Sequence, residues 1–273
     1  MSKTIARQGQ ALLDDIAAAQ VPHGRLAFWW TGQHSIIVKA GKTVMFVDPY
    51  LTPNEARTKP PLLKPEDLAD FDLILCTHDH GDHIDPGAIP GIAAAARHAR
   101  FVAPRAHRQR MRDLGVPDGR LIVLNAGETA EIDGVKVTAI KAKHEFFHED
   151  PALGFPFLGY VVEANGTAFY HSGDTLVYEG LLTTLTQWER VDVVFLPING
   201  RDAERYSSGC IGNMTYQEAV DLTGELNPRL AVPTHYDMFV NNSEDPAKFT
   251  AYLKAKFPDI PAWVGPAGER VVV

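Results

Sequence analysis

The 273-residue chain is 45% hydrophobic and 22% charged, which excludes low-complexity disorder and leaves material for a sizeable core; no apolar run approaches the roughly 20 residues of a membrane helix. A net charge of −8 repels polyanions and argues against nucleic acid as a partner. Two cysteines, Cys76 and Cys210, exclude a disulfide framework and suit a reducing cytoplasm, whereas eleven histidines are the unusual count.

The stretch 1–20 reads as a short amphipathic helix, because Asp14 and Asp15 stand where a signal peptide would be apolar. β-Branched and aromatic runs follow at 26–31, 35–39, 43–47 and 72–77, with turns at Gly32 and Ala40-Gly41-Lys42. Residues 51–65 hold four prolines and read as a long loop. Pro90 opens a helix over 92–99; a strand at 101–103 precedes a basic helix over 106–114 that Gly115 stops. The second half begins again with strands at 121–124, 130–133, 135–142, 158–163 and 167–171, with an Asn165-Gly166 hairpin turn. Val177, Leu181, Leu185 and Trp188 recur at helical spacing, and 191–196 is apolar throughout, as a buried strand would be. Thr215 and Glu218 form a capping box for a helix to about 226. A strand at 230–233, a helix from Asp245-Pro246 to about 257 and a closing strand at 270–273 complete the chain. Strands then helices, twice over and without a composition break, fit an α/β sandwich of two mixed sheets in one domain over residues 1–273.

The strongest motif is Thr77-His78-Asp79-His80-Gly81-Asp82-His83, directly after a predicted strand. Residues two apart on an extended segment point the same way, so His78 and His80 can grip one metal ion. Gly81 lets the chain turn and brings Asp82 and His83 round. Imidazole with carboxylate suits zinc, manganese or iron. A solvated loop rich in histidine is the plainer alternative, but such groups at a strand end are costly to bury unless they coordinate something. Three further residues repeat one pattern, a ligand-type side chain just past an apolar strand: His144, Asp174 and His235. His148 is the alternative to His144.

Around them, Asp48 at the end of 44–47 reads as a carboxylate orienting a ligand histidine or as a strand-end cap. His171 either lines the site or ends its strand, and His34 either faces the site or, as the favoured reading, is an ordinary turn residue. Asn199, Arg201 and Arg205 follow a buried strand and suggest recognition of a phosphate or carboxylate, with ordinary solvated charge as the alternative for the two arginines. The loop 206–214 reads as a mobile lid, and Arg57 and Lys59 stand on another candidate wall. Arg105, Arg108, Arg110 and Arg112 read as a solvated face without interleaved aromatics.

The His78/His80/Asp82/His83 set is the H-x-H-x-D-H signature of the metallo-β-lactamase superfamily. Within it the chain resembles the L-ascorbate-6-phosphate lactonase family, through Phe28-Trp29-Trp30 with Gly32, Val47-Asp48, 77–85, Tyr170 to Asp174, Asn213-Met214-Thr215 and Pro233 to Asp237. The resemblance implies an αββα four-layer sandwich with two divalent ions, zinc or manganese, at its edge. It implies that His78, His80 and His144 hold one ion, that Asp82, His83 and His235 hold the other, and that Asp174 bridges them. A histidine at position 144 departs from the sugar-phosphate lactonase pattern and matches the wider superfamily. A homo-oligomer is also implied.

A water between two divalent ions has its pKa lowered to about 7, so a metal-bridged hydroxide is available at neutral pH. Asp82 would orient it and pass a proton to the leaving group as the catalytic carboxylate. The expected function is thus hydrolysis of a small, anionic lactone of sugar-acid or sugar-acid phosphate type. The alternatives are a metal-dependent phosphodiesterase, which for a lipid substrate needs an apolar entrance such as Phe146, Phe147, Phe155 and Phe157, and a non-catalytic metal-binding scaffold.

Overall fold

The computed structural model describes residues 4–273, so the first three residues of the predicted N-terminal helix lie outside the described residues. Helix α1 spans Gly9–Ala18, and strands β1 (Ala27–Gly32), β2 (Ser35–Ala40), β3 (Thr43–Val47) and β4 (Leu73–Leu75) follow. Next come α2 (Ile89–Ala95), β5 (Arg100–Pro104), α3 (Arg108–Asp113) and β6 (Leu121–Leu124). The chain continues through β7 (Thr129–Ile132), β8 (Val135–Lys141), β9 (Leu158–Ala164) and β10 (Thr167–His171). Then follow α4 (Leu181–Leu185), β11 (Val193–Pro197), α5 (Ala203–Ser207), α6 (Tyr216–Leu226), β12 (Leu230–Thr234), α7 (Pro246–Lys256) and β13 (Arg270–Val272).

Seven strands form one sheet in the order β13-β1-β2-β3-β4-β5-β6, and six form the other in the order β12-β11-β10-β9-β8-β7. In the first, β13 to β3 pair antiparallel and β3 to β6 parallel. In the second, β7 to β10 pair antiparallel and β10 to β12 parallel. The sheets meet through apolar side chains: Phe28 of β1 lies edge-on to Phe195 of β11, ring centres 5.2 Å apart. The Tyr160 hydroxyl of β9 crosses to donate to the Cys76 carbonyl at 2.8 Å. This is the α/β sandwich with helices outside that the sequence predicts.

Strands β1 and β2 are buried on both faces because α1 covers them. The Trp29 indole donates to Asp15 of α1 at 2.9 Å, and the buried Lys39 ammonium donates to the Ile16 carbonyl at 2.7 Å, satisfying an acceptor at the end of that helix. On the other side, α6 packs against β11 and α7. Thr215 and Glu218 make the predicted capping box of α6.

Three expectations change. The strand at 121–124 does not open the second sheet; it pairs parallel with β5 at the edge of the first. The helix expected from Val177 to Trp188 shortens to α4, because Gly180 with φ +91° sets its start and Thr186 already leaves helical geometry. A further short helix, α5, forms after Asn199, capped by Asp202 accepting from the Arg205 N–H.

The topology gathers the chemistry. Strands β3 and β4 run parallel, and so do β8, β10 and β12 within their sheet. Asp48, His78, His144, Asp174 and His235 each follow the C-terminal end of one of these strands. Gly159 lets β9 lie close beneath one of these ends. A Cβ there would stand 2.5 Å from the Ser172 carbonyl oxygen and 2.8 Å from that of His171, backbone that cannot yield. Gly159→Ala is expected to destabilise the protein by about 1–3 kcal/mol, the range for overpacking, read as a lower urea midpoint at unchanged slope.

Candidate metal centre

The His-rich loop is set by a carboxylate beneath it. Asp48 ends β3 in left-handed backbone, φ +49°. Its Oδ1 accepts the Thr77 N–H at 2.8 Å and its Oδ2 accepts the Thr77 hydroxyl at 2.7 Å. The same Oδ2 lies 2.7 Å from His83 Nδ1, which fixes the ring and leaves His83 Nε2 to face the site. Asp48 therefore both orients a histidine and ties the ends of β3 and β4 together. The turn at Gly81 closes with the His83 and Ile84 N–H groups donating to the His80 carbonyl, each at 2.9 Å. Gln33, Asp48, Glu145 and His235 are four of the seven non-glycine residues with positive φ, and all four border this region, where backbone strain collects.

Two groups of ligand-type atoms result. In the first, His78, His80, His144 and Asp174 each offer an atom, and these lie within 4.8 Å of one another; in the second, Asp82, His83 and His235 do the same. His144 enters the first group with Nδ1 donating to the Gly212 carbonyl at 3.1 Å, leaving Nε2 for the centre. His148 is exposed and belongs to neither group. Asp174 stands between them: Oδ2 is 3.7 Å from His144 Nε2 and 3.2 Å from His235 Nε2, and Oδ1 is 3.5 Å from His83 Nε2. Phe157 walls the first group, its ring centre 5.2–5.8 Å from those of His78, His144 and His80.

The residues fit metal ions on two counts. His83 Nε2, Asp174 Oδ1 and His235 Nδ1 are buried without a hydrogen-bond partner, and the first two face each other across the centre. The donor set is imidazole and carboxylate, as zinc or manganese takes. Electrostatics point the same way. Burial pushes the imidazoles of His78, His80 and His144 down, His144 to about 4, so these rings are neutral, as ligands must be. Burial also pushes His83 down, but Asp174, Asp48 and Asp82 outweigh it and raise His83 to about 10. His235 rises too: Asp174 and Asp82 overcome its burial. Burial favours the protonated form of Asp174, yet His235 and His83 hold its carboxyl well below the usual range. A proton on His83 thus balances carboxylates that a divalent cation would otherwise balance, and the same carboxylates push His235 in the same direction.

Gln33 escapes the sequence reading, and His34, for which the turn reading is favoured there, belongs to the site. His34 is fully buried and clamps two ligand-bearing turns, with Nε2 3.0 Å from the Gly173 carbonyl and Nδ1 2.7 Å from the Thr234 hydroxyl. His171 stacks on His34 at 3.9 Å and reaches its carbonyl at 2.8 Å, so it supports the clamp from behind. Gln33 lines the cavity and donates to Asp82 Oδ2 at 2.8 Å.

The centre opens on a cavity of about 450 Å³ lined by His80, Asp82, His144, Asp174 and His235, with Cys210, Ile211 and Phe239 at its wall. A larger hollow of about 680 Å³, beside Asn165 and Trp188, holds no histidine. No lysine or arginine lines the cavity of the centre among the described residues. Arg201 and Arg205, expected to grip an anion, do not reach it. Arg201 pairs with Glu218 through two 2.7 Å bonds, and Arg205 pairs with Asp202 and donates to the Ser243 carbonyl. Asn199 sits behind the wall, donating to Asn242 Oδ1 at 2.9 Å. Of the expected lid, Gly209, Cys210 and Ile211 border the cavity.

Metal binding should release protons. His83 holds its proton up to about pH 10 and must shed it to coordinate, so affinity is expected to rise with pH through neutrality and to fall below it. Zinc added to chelator-treated protein in weak buffer at pH 7 checks this. Binding without proton release removes His83 as a ligand.

Residues 43–236 match the family described as beta-lactamase superfamily domain. A UPF0173 metal-dependent hydrolase of Pyrococcus horikoshii is 32% identical over 217 residues, covering 79% of this chain and 87% of that protein. Igni18, a metallo hydrolase from the hyperthermophilic archaeon Ignicoccus hospitalis, shares the fold with a TM-score of 0.72 at 23% identity, over 91% of this chain and 98% of the other. CmlA, a diiron β-hydroxylase from Streptomyces venezuelae, shares it with a TM-score of 0.66 at 16% identity, over 93% of this chain and 54% of that one. Hydrolase and hydroxylase on one fold mean that the reaction must be argued from the site. The extent of the family match and the identity to the Pyrococcus protein show that the chain belongs to the β-lactamase superfamily and, within it, to the UPF0173 metal-dependent hydrolase family.

Proposed function

We propose that this protein is a two-metal hydrolase that opens a lactone or a related carboxylic ester, with residues 1–273 acting as one hydrolase domain. The position of Asp174 carries the reading: one buried carboxylate faces both histidine groups and leaves Oδ1 without a partner. His78, His80 and His144 are the ligands of one ion, and Asp82, His83 and His235 those of the other. Divalent ions there, zinc or manganese, supply Lewis acidity and an acidic water at neutral pH. Unpaired Cys76 and Cys210 suit a reducing cytoplasm.

The chain's own residues do the rest. Burial pushes the Asp82 carboxyl up, but His83, His235 and the Gln33 hydrogen bond keep it below the usual range, so it is ionised at neutral pH. Gln33 holds its Oδ2; Oδ1 accepts no hydrogen bond among the described residues and is free to take a proton from the attacking water. Asp82 then returns that proton to the leaving oxygen. His34 and Asp48 hold the loops in register, and Phe157 and Phe239 shield the centre from water. With Arg201 and Arg205 bound elsewhere and no lysine or arginine lining the cavity among the described residues, recognition of a phosphate remote from the scissile bond has no cationic side chain there to perform it, and we infer a substrate among uncharged lactones and esters.

One observation favours a second reading, a phosphodiesterase acting on an amphiphile. Phe146 is 65% exposed and Val240 83% exposed, on the loops that follow His144 and Phe239. A pH-stat separates the two. Metal-loaded protein is expected to release protons from lactones and esters, and chelation to abolish this. Release from phosphodiesters alone would establish the second reading, and silence on both would refute a hydrolytic role for these substrates. Asp82→Asn is expected to lower kcat by about 10²–10⁴-fold with metal content retained. Unchanged turnover would remove Asp82 from proton transfer.

A further inference from the structure

Gln33 occupies the turn between β1 and β2 under unusual constraint. It is 1% exposed, and its backbone is left-handed at φ +54°, which a residue with a side chain adopts at a cost. Its carbonyl accepts the His235 N–H at 2.9 Å and the Trp30 indole N–H at 3.0 Å, so its place beside His235 is fixed from both sides. The side chain ends inside the second ligand group. Nε2 lies 2.8 Å from Asp82 Oδ2 and 3.1 Å from His235 Nε2, against two of that group's three ligand atoms. The other end of the same carboxamide, Oε1, is buried with no donor. A buried, unpaired amide oxygen is costly unless something completes it.

The two groups also differ in kind, although with Asp174 counted for both each has four members. The first has three imidazoles with Asp174; the second has Asp82 and two imidazoles, and shares Asp174. A half-turn about the last side-chain bond of Gln33 exchanges its nitrogen and oxygen and sets an acceptor where the donor stands. A glutamate in this place would add another negative charge beside Asp48, Asp82 and Asp174 whenever no cation is bound. An amide can donate to Asp82 in that state and still offer an oxygen in the other.

Resting on the two-ion reading above, we propose that Gln33 is a further ligand of the second ion: its NH₂ holds Asp82 when no cation is bound, and its Oε1 turns to the cation when one is. The test is cobalt(II) titration of chelator-treated protein, followed by calorimetry and visible absorption, on the unaltered chain, Gln33→Leu and Gln33→Glu. Neither replacement is β-branched, so neither adds strain at this φ, and thermal unfolding in chelator confirms folding. The unaltered chain is expected to bind two ions. Gln33→Leu should weaken one of them by about 10–100-fold and alter its absorption, the scale seen when a group supporting a metal is lost. Gln33→Glu should bind both as tightly or more so. Unchanged affinity and spectrum in Gln33→Leu would overturn the proposal, as would a Gln33→Glu protein as weak as Gln33→Leu, which would leave Gln33 a donor to Asp82 only. Fewer than two ions in the unaltered chain would overturn the two-ion reading itself, and the ligand with it.

Discussion

Asp48 places a buried carboxylate under the loop that carries half of the metal centre, where it takes the Thr77 N–H, the Thr77 hydroxyl and the His83 ring. Each of those contacts sets something further on. The Thr77 N–H fixes the exit of β4, and with it the direction in which His78 leaves the sheet. The ring contact decides which nitrogen of His83 faces inward. Because β3 and β4 are parallel neighbours, one residue past β3 can reach two residues past β4 without any loop between them. A carboxylate there is tolerable only because it accepts three donors, since a buried charge without partners costs far more than such a turn could repay.

The same charge logic extends inward. Asp48, Asp82 and Asp174 bring three carboxylates among the five histidines of the two groups. Those histidines divide by their neighbours: His78, His80 and His144 are neutral because burial dominates, and His83 and His235 are raised because carboxylates face them. Asp174 lies at the boundary between the two kinds. One carboxylate therefore stands between the groups, where two cations would repel each other most and where a shared negative charge offsets that repulsion. A proton on His83 stands in for positive charge in the protein alone, so folding of the site and occupancy of the site draw on the same carboxylates.

How much of this was legible in the sequence follows from what spacing can encode. The run from His78 to His83 is local, and its chemistry shows in six residues. His144, Asp174 and His235 were legible by a rule of topology: parallel strands end on one edge, so a ligand-type residue just past each strand converges with the others. The strand at 43–47 and the Thr215/Glu218 cap were legible because alternation and capping are local too. Partnership at a distance was not. Nothing near Arg201 shows that Glu218 will meet it, and nothing near residue 121 says which sheet that strand will join. Gln33 and His34 look like any polar pair in a turn; only the arrival of β12 and the turn after β10 buries them, and those arrive from 140 to 200 residues away.

The distribution of cations near the centre completes the argument. Lys59 is buried against Asp237, below the Trp30 ring at 4.9 Å, and so fastens the proline-rich segment to the turn that carries His235. Arg57 lies on the Tyr50 ring at 4.1 Å and donates to the carbonyls of Lys59 and Tyr50. Arg201 fastens the chain after β11 to α6, and Arg205 fastens α5 to the segment after Asn242. Lys59, Arg201 and Arg205 each hold one segment of the rim to another and Arg57 braces its own loop, and breaking a buried pair such as Lys59–Asp237 typically costs about 3–5 kcal/mol, so release of Lys59 to meet an anion is opposed. The rim is consequently held in shape by cations that do not face the cavity, while the side chains that line it outside the two ligand groups, Ile211, Phe239, Asn241 and Asn242 among them, carry no charge. Such a wall offers apolar contact from Ile211 and Phe239 and neutral amides from Asn241 and Asn242, and the carboxylates of Asp82 and Asp174 inside it disfavour negative charge wherever no cation offsets them.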